Sequence, residues 1–255
     1  MNDTPRANSR TASPSADSSV IHEEIERFSA LAEEWWNPKG PMAPLHAMNP
    51  VRTEWVRKTL DSSCSGIPDH PTLLDIGCGA GLASESFARL GFDTMGVDAS
   101  EKAIEAARSH QKLCPLPPSS ASLSYRCGNA EVLVEERKQF DVVCALEIIE
   151  HVRDPEEFLH LLFHLTKPNG HVVISTMNRT IRSFLMAKLG AEYILRMLPI
   201  GTHQWQKFIK PVELDRMAQL AGLRLTHISG LSYYPPRWQE SRDLSINYIA
   251  LFARD

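Results

Sequence analysis

The 255-residue sequence predicts an α/β fold: a doubly wound, mostly parallel seven-stranded sheet with helices on both faces. Three observations predict it. Short apolar runs alternate with stretches of helical period, a glycine-rich turn follows the first run of the core, and acidic residues close several of the runs.

Taken in order, residues 1–19 are Ser, Thr, Pro and Asn-rich and read as a disordered tail. Residues 20–69 read as an N-terminal helical cap. Ile21, Ile25, Phe28, Leu31 and Trp35 recur at helical steps up to Trp36. A Pro/Gly-rich turn, NPKGPMAPLHAMNP, then separates this helix from a second near Val51–Leu60.

The main domain spans 70–255. Leu73–Ile76 is the first strand, Gly77–Gly81 a turn, and Leu82–Leu90 a helix. Phe92–Asp98 is the second strand, and Ser100 caps the helix that runs towards His110. Strands follow near Leu123–Cys127, Phe140–Leu146 and His171–Thr176, with the helix DPEEFLHLLFHLTKPNG before the last of these. Residues 179–210 interrupt the alternation as a helical insertion. Pro211–Ala221 is the closing helix, and LRLTHIS and INYIALFA are the last two strands.

Net charge is −4 and the pI about 6.2, so no basic field points to nucleic acid. The five cysteines are odd in number and form no CxxC pair, which suits a reducing compartment and speaks against a disulfide framework or zinc site. No apolar run reaches the length of a membrane span.

The turn DIGCGAG places Gly77, Gly79 and Gly81 between a buried strand and a helix N-terminus, where backbone can approach a ligand closely. Asp98 ends the next strand, placed to accept hydrogen bonds from ribose hydroxyls. The dinucleotide fingerprint G-x-G-x-x-G fails: it requires glycine where Leu82 or Ser84 stands. The run instead resembles the first motif of class I S-adenosylmethionine-dependent methyltransferases, and the fold is then Rossmann-like. That resemblance covers residues 70–178. It implies that Asp75 and Gly77 border the methionine part, Gly79 binds the cofactor with them, Asp98 holds the ribose, Asn129 and Ala130 lie beside the adenine, and Leu146 lines the cleft.

The fourth strand runs out into Glu147, Glu150 and His151, at the strand end where such sheets bind ligands. If a helical turn begins there, all three project to a similar side. Two carboxylates suit Mg²⁺, whereas an imidazole ligand fits Mn²⁺ or Fe²⁺ better; the histidine equally suits a general base. A brace for the loop, with Asp154 capping the next helix, explains His151 alone.

Three stretches, FSALAEEWWNPKGPMAPLHAMNPVR, EIIEHV and NRTIRSFLMAKLGAEYILRMLPIGTHQWQKFIKP, resemble the ubiquinone-biosynthesis O-methyltransferase family from about residue 22 to the C-terminus. The resemblance implies methylation of a catechol hydroxyl on 2-polyprenyl-6-hydroxyphenol and 3-demethylubiquinol. It implies a divalent metal, Mg²⁺ first, on Glu147, Glu150 and His151, with Glu147 and His151 as the catalytic pair. It also places Arg52 near the cofactor's carboxylate. Two other readings are another catechol or phenol as acceptor, and a non-catalytic cofactor-binding scaffold of the quinone pathway.

A polyprenyl tail is not water-soluble. Residues 179–201, with Phe184, Leu185, Leu189 and Ile194 beside Arg179, Arg182, Lys188 and Arg196, suit contact with an anionic membrane surface or a cap over the site. Trp35, Trp36, Tyr193, His203 and Trp205 suit either an aromatic pocket or core packing. The expected setting is a bacterial cytoplasm at the inner membrane, or the matrix side of the mitochondrial inner membrane, in company with other ubiquinone-biosynthesis proteins.

Overall fold

Leu73 and Leu74 are consecutive and both fully buried, because the strand that carries them is covered on both faces. The computed structural model describes residues 19–63, 67–184 and 205–255. Its sheet has eight strands in the order β3-β2-β1-β4-β5-β8-β6-β7. They are β1 (Thr72–Ile76), β2 (Asp93–Asp98), β3 (Leu123–Cys127), β4 (Phe140–Leu146), β5 (Thr166–Met177), β6 (Leu223–Tyr234), β7 (Arg237–Ser241) and β8 (Asn247–Arg254). The first five pair in parallel; β8 joins antiparallel between β5 and β6.

On one face Leu73, Val142, Cys144, Val173, Ile249 and Leu251 pack with Trp55, Val56 and Leu60 of α2 (Ala43–Ser63) and Phe87 of α3 (Leu82–Arg89). On the other, Leu74, Val143, Ala145, Val172, Ile174 and Phe252 pack with α5 (Ala130–Glu135), α6 (Pro155–Leu165) and α7 (Pro211–Leu220). The helix α4 (Glu101–Leu113) covers β2 and β3, with Ser100 Oγ accepting from Ala103 N as the expected cap. Asp154 caps α6 through the N–H groups of Glu156 and Glu157.

Three expectations change. The first helix is shorter: α1 (His22–Ser29) gives way to a single 3₁₀ turn at Ala32–Glu34. The second begins at Ala43, inside the stretch expected as a turn, and runs through Pro50. Pro44 falls in its first turn, where a missing N–H costs nothing. Pro50 removes one bond, but the helix continues because Met48, Trp55, Val56 and Leu60 are buried against the sheet. The eighth strand, β7, was not expected; it extends β6 as a hairpin at the sheet edge.

From β1 the chain winds outward through β2 and β3, then returns to β4 on the other side of β1. The crevice at the carboxyl ends of β1 and β4 is thus the topological switch point, where open α/β sheets bind ligands. The insertion expected at 179–210 lies mostly outside the described residues.

Candidate active site

The turn after β1 closes back over β2: the N–H groups of Gly77 and Cys78 both donate to Val97 O, at 2.7 and 3.1 Å. Gly77 and Gly79 have φ of +72° and +55°, a region costly for residues with a Cβ. Space demands glycine as well, since an added Cβ would overlap Ile148 at Gly77 and the Trp35 indole at Gly79. Asp98 is pinned beneath the turn, accepting from Gly79 N and Ser100 N at 2.8 Å each. Burial raises its pKa and those two N–H groups hold it back.

Asp75 is 2% exposed and accepts from Ser84 Oγ at 2.5 Å. Burial pushes its carboxyl up to about 6, against the Ser84 hydrogen bond and the Arg52 charge. Arg52, on α2, is 3% exposed. Its Nη2 donates to Asn49 Oδ1 at 3.4 Å and its Nη1 lies 4.0 Å from Glu147 Oε1, while its Nε has no partner. Asn49 in turn anchors α2 to α3 through Leu82 O and Ser86 Oγ. A buried guanidinium with an orphaned donor fits a ligand carboxylate. Together with the glycine cradle and Asp98, this donor set fits S-adenosylmethionine.

Asn129 caps α5 by accepting from Val132 N at 3.2 Å, and Ala130 is buried behind it. Leu146 ends β4 in the core cluster with Val142 and Cys144. Trp36 stacks on His110 with ring centroids 3.4 Å apart, and its Nε1 donates to Ala80 O. The N-terminal segment therefore lies over the glycine turn.

Past β4, Glu147 takes φ +57°, an uncommon conformation for a residue with a side chain. It is held by its neighbours in the sheet. Its N–H donates to Ser175 O, and its carboxylate accepts from Ser175 Oγ at 2.7 Å and from Asn247 Nδ2 at 3.0 and 3.1 Å. Glu150 follows on a 3₁₀ turn, Ile149–His151; it is 7% exposed and accepts from Thr176 Oγ1 at 2.8 Å. Burial, then the Glu147 charge, raise its pKa. His151 Nδ1 lies 3.3 Å from Glu24 Oε2. Burial opposes its charged form, but Glu24, Glu150 and Glu147 outweigh that and raise its pKa.

The structure brings Arg52, Asp75, Gly77, Gly79 and Asp98 together around the turn after β1, and sets Glu147, Glu150 and His151 beside them after β4. As placed, these last three turn to separate partners: Glu147 accepts from Ser175 and Asn247, Glu150 accepts from Thr176, and the imidazole faces Glu24. Among the described residues no three His, Cys, Asp or Glu side chains converge on a point that could hold one.

Sequence reasoning missed Glu24, Asn49, Ser84, Ser175, Thr176 and Asn247. Polar residues closing an apolar strand were a signal for Ser175 and Thr176; Glu24 carried none. Of the aromatic candidates, Trp205 donates to Thr180 O, and Tyr193 and His203 lie outside the described residues. Of 179–201, only 179–184 are described.

Comparison with known proteins agrees with this geometry. A family model described as a methyltransferase domain matches residues 45–228. The magnesium protoporphyrin IX methyltransferase of Synechocystis PCC 6803, solved with bound SAH, has a TM-score of 0.61 at 15% identity over 92% of this chain and 95% of its own. A methyltransferase structure from Thermotoga maritima gives 0.60 at 16% over 90% and 99%. The fold and the site define a class I, S-adenosylmethionine-dependent methyltransferase.

Among curated relatives, the mitochondrial ubiquinone biosynthesis O-methyltransferase of Arabidopsis thaliana is 43% identical over 96% of this chain and 78% of its own. The ubiquinone biosynthesis O-methyltransferase of Azorhizobium caulinodans is 43% identical over 92% and 94%. The chain belongs to the ubiquinone biosynthesis O-methyltransferase family.

Proposed function

We propose that this chain methylates a catechol hydroxyl of polyprenylated ubiquinone precursors, 2-polyprenyl-6-hydroxyphenol and 3-demethylubiquinol. The observation that carries the reading is the adjacency of two buried or half-buried clusters across the β1–β4 crevice. One, Arg52 with Asp75, Gly77, Gly79 and Asp98, suits the methyl donor. The other, Glu147 with Glu150 and His151, suits a phenolic acceptor.

Bound S-adenosylmethionine supplies an electrophilic methyl group on a sulfonium centre. The protein's work is then alignment and proton removal. Arg52 binds the donor's carboxylate, Asp75 and Gly77 border its methionine part, Asp98 holds the ribose hydroxyls, and Asn129 and Ala130 flank the adenine. Leu146 keeps the crevice dry. A catechol hydroxyl with a pKa near ~10 is mostly protonated at neutral pH, so a base must take its proton as the oxygen attacks. Glu147 and His151 fill that role, and no covalent intermediate with the protein is required.

The divalent ion in this reading, Mg²⁺ first, rests on donor kind alone: two carboxylates and an imidazole at Glu147, Glu150 and His151. Membrane contact through residues 179–201 rests on composition and on Ile181, 76% exposed, and Phe184 at the start of that segment. Arg179 and Arg182 are paired with Glu213 and Asp243, which weakens the basic field there. No helix among the described residues is long and apolar enough to cross a membrane. The proposed setting is the inner membrane surface of a bacterium or of a mitochondrion, beside other enzymes of the pathway.

The test is methyl transfer from labelled S-adenosylmethionine to a short-chain demethylubiquinol, compared with catechol lacking a tail, with EDTA and with Mg²⁺, Mn²⁺ or Zn²⁺ restored. Turnover on the tailed substrate supports the acceptor. Loss to EDTA with recovery on metal supports the ion, and chelator-insensitive turnover removes it. Cofactor binding without turnover on either acceptor overturns the substrate assignment.

A further inference from the structure

We propose that Glu24, on α1, is a positioning residue that fixes the orientation and tautomer of His151; the proposal rests on the reading of His151 as a working group of the acceptor site. Glu24 is 8% exposed and reaches the imidazole from outside the α/β core. Its Oε2 lies 3.3 Å from His151 Nδ1. One turn further along α1, Phe28 meets the imidazole edge to face, with centroids 5.3 Å apart and planes at 86°.

The backbone sets this register. Val20 bridges Val152 antiparallel, and Arg153 N donates to Ser19 O at 2.9 Å, so the residues just before α1 are tied to those just after His151. α1 thus arrives with its carboxylate and its aromatic ring already against the histidine. Arg27 and Lys207 also face Glu24, at 3.2 and 3.9 Å. A helical Glu–Arg pair three residues apart contributes only a few tenths of a kcal/mol and does not call for burying the carboxylate.

In the neutral ring, a carboxylate that accepts from Nδ1–H leaves the lone pair on Nε2. Nε2 is then the atom presented to a phenolic proton or to a cation. Phe28 stops the ring from turning that face away. Residues that orient a histidine in this way contribute about 10–100-fold to activity or metal affinity without touching the substrate.

The experiment compares wild type, Glu24→Ala, Glu24→Gln, His151→Ala and the double variant Glu24→Ala/His151→Ala. It reads kcat and KM for a short-chain demethylubiquinol, SAH affinity by calorimetry, and the side-chain ¹⁵N signals of His151 in metal-free protein. In the wild type the ¹⁵N signals must report the Nδ1–H tautomer; an Nε2–H tautomer overturns the proposal whatever the variants do. Glu24→Ala should lower kcat about tenfold or more and mix the tautomers, while SAH affinity stays at the wild-type value. Glu24→Gln keeps the side chain's shape but can donate to Nδ1 as well as accept from it, so it should also mix the tautomers and lower kcat. In the His151→Ala background, Glu24→Ala should cost nothing further. An unchanged kcat and tautomer in Glu24→Ala, with stability alone reduced, would make the pair a docking contact and overturn the proposal. Wild-type kcat in His151→Ala would remove the reading of His151 instead, and the tautomer signals separate the two failures.

Discussion

Arg52 Nη1 stands 4.0 Å from Glu147 Oε1, linking the donor half of the crevice to the acceptor half. The guanidinium comes from α2 and the carboxylate from the end of β4, so two segments distant in sequence meet at the switch point. Burial lowers the Arg52 pKa, and Glu147 and Asp75 oppose this. A ligand carboxylate would give its Nε the acceptor that the protein leaves out.

Arg52→Gln should therefore weaken SAH binding by about tenfold or more, the cost of one charge-assisted hydrogen bond of about 1.5–3 kcal/mol. Calorimetric titration checks it. Unchanged affinity would move the cofactor's carboxylate elsewhere.

Gly79→Ala meets two obstacles at once, a φ of +55° and the Trp35 indole lying against the turn. Left-handed backbone alone costs about 1–2 kcal/mol. The variant should melt lower than wild type and shift tryptophan emission as Trp35 is displaced; differential scanning fluorimetry and emission spectra read both.

Asp75 predicts a pH dependence. Its carboxyl is raised from 3.8 to about 6 in the folded chain. The folded state keeps a proton that the unfolded state releases, so this contribution is full below pH ~3.8 and is lost as pH rises through about 6. Relative to Asp75→Asn, wild-type stability should fall by about 3 kcal/mol across that window. Urea denaturation of both proteins at a series of pH values measures the difference, and parallel curves would refute it.

Asn247→Ala removes the amide that donates to both oxygens of Glu147. Freed of it, the carboxylate loses its fixed direction and one buried partner, worth about 1–3 kcal/mol. Turnover should fall about tenfold while SAH affinity holds; steady-state kinetics beside calorimetry decide it.

What the sequence made legible was local. The glycine turn, Asp98 and the acidic run after β4 are each read from neighbours a few residues apart, and the structure places all of them on one carboxyl edge. Asn247 and Glu24 were not legible, because their meaning lies in pairings across 100 and 127 positions of the chain. The early start of α2 was hidden by Pro44 and Pro50, read as breakers, although buried Met48 and Trp55 carry the helix through them. β7 was hidden behind Pro235 and Pro236, where a hairpin turn looks like the end of the sheet.

The proposed function requires the two halves of the crevice to act together on a catechol. Single-turnover methyl transfer to a short-chain demethylubiquinol, in wild type against Glu147→Gln with SAH affinity measured alongside, tests it most directly. Methylated product is expected in the wild type, and in the variant a rate at least tenfold lower with cofactor affinity intact. A variant that transfers the methyl group at the wild-type rate would contradict it.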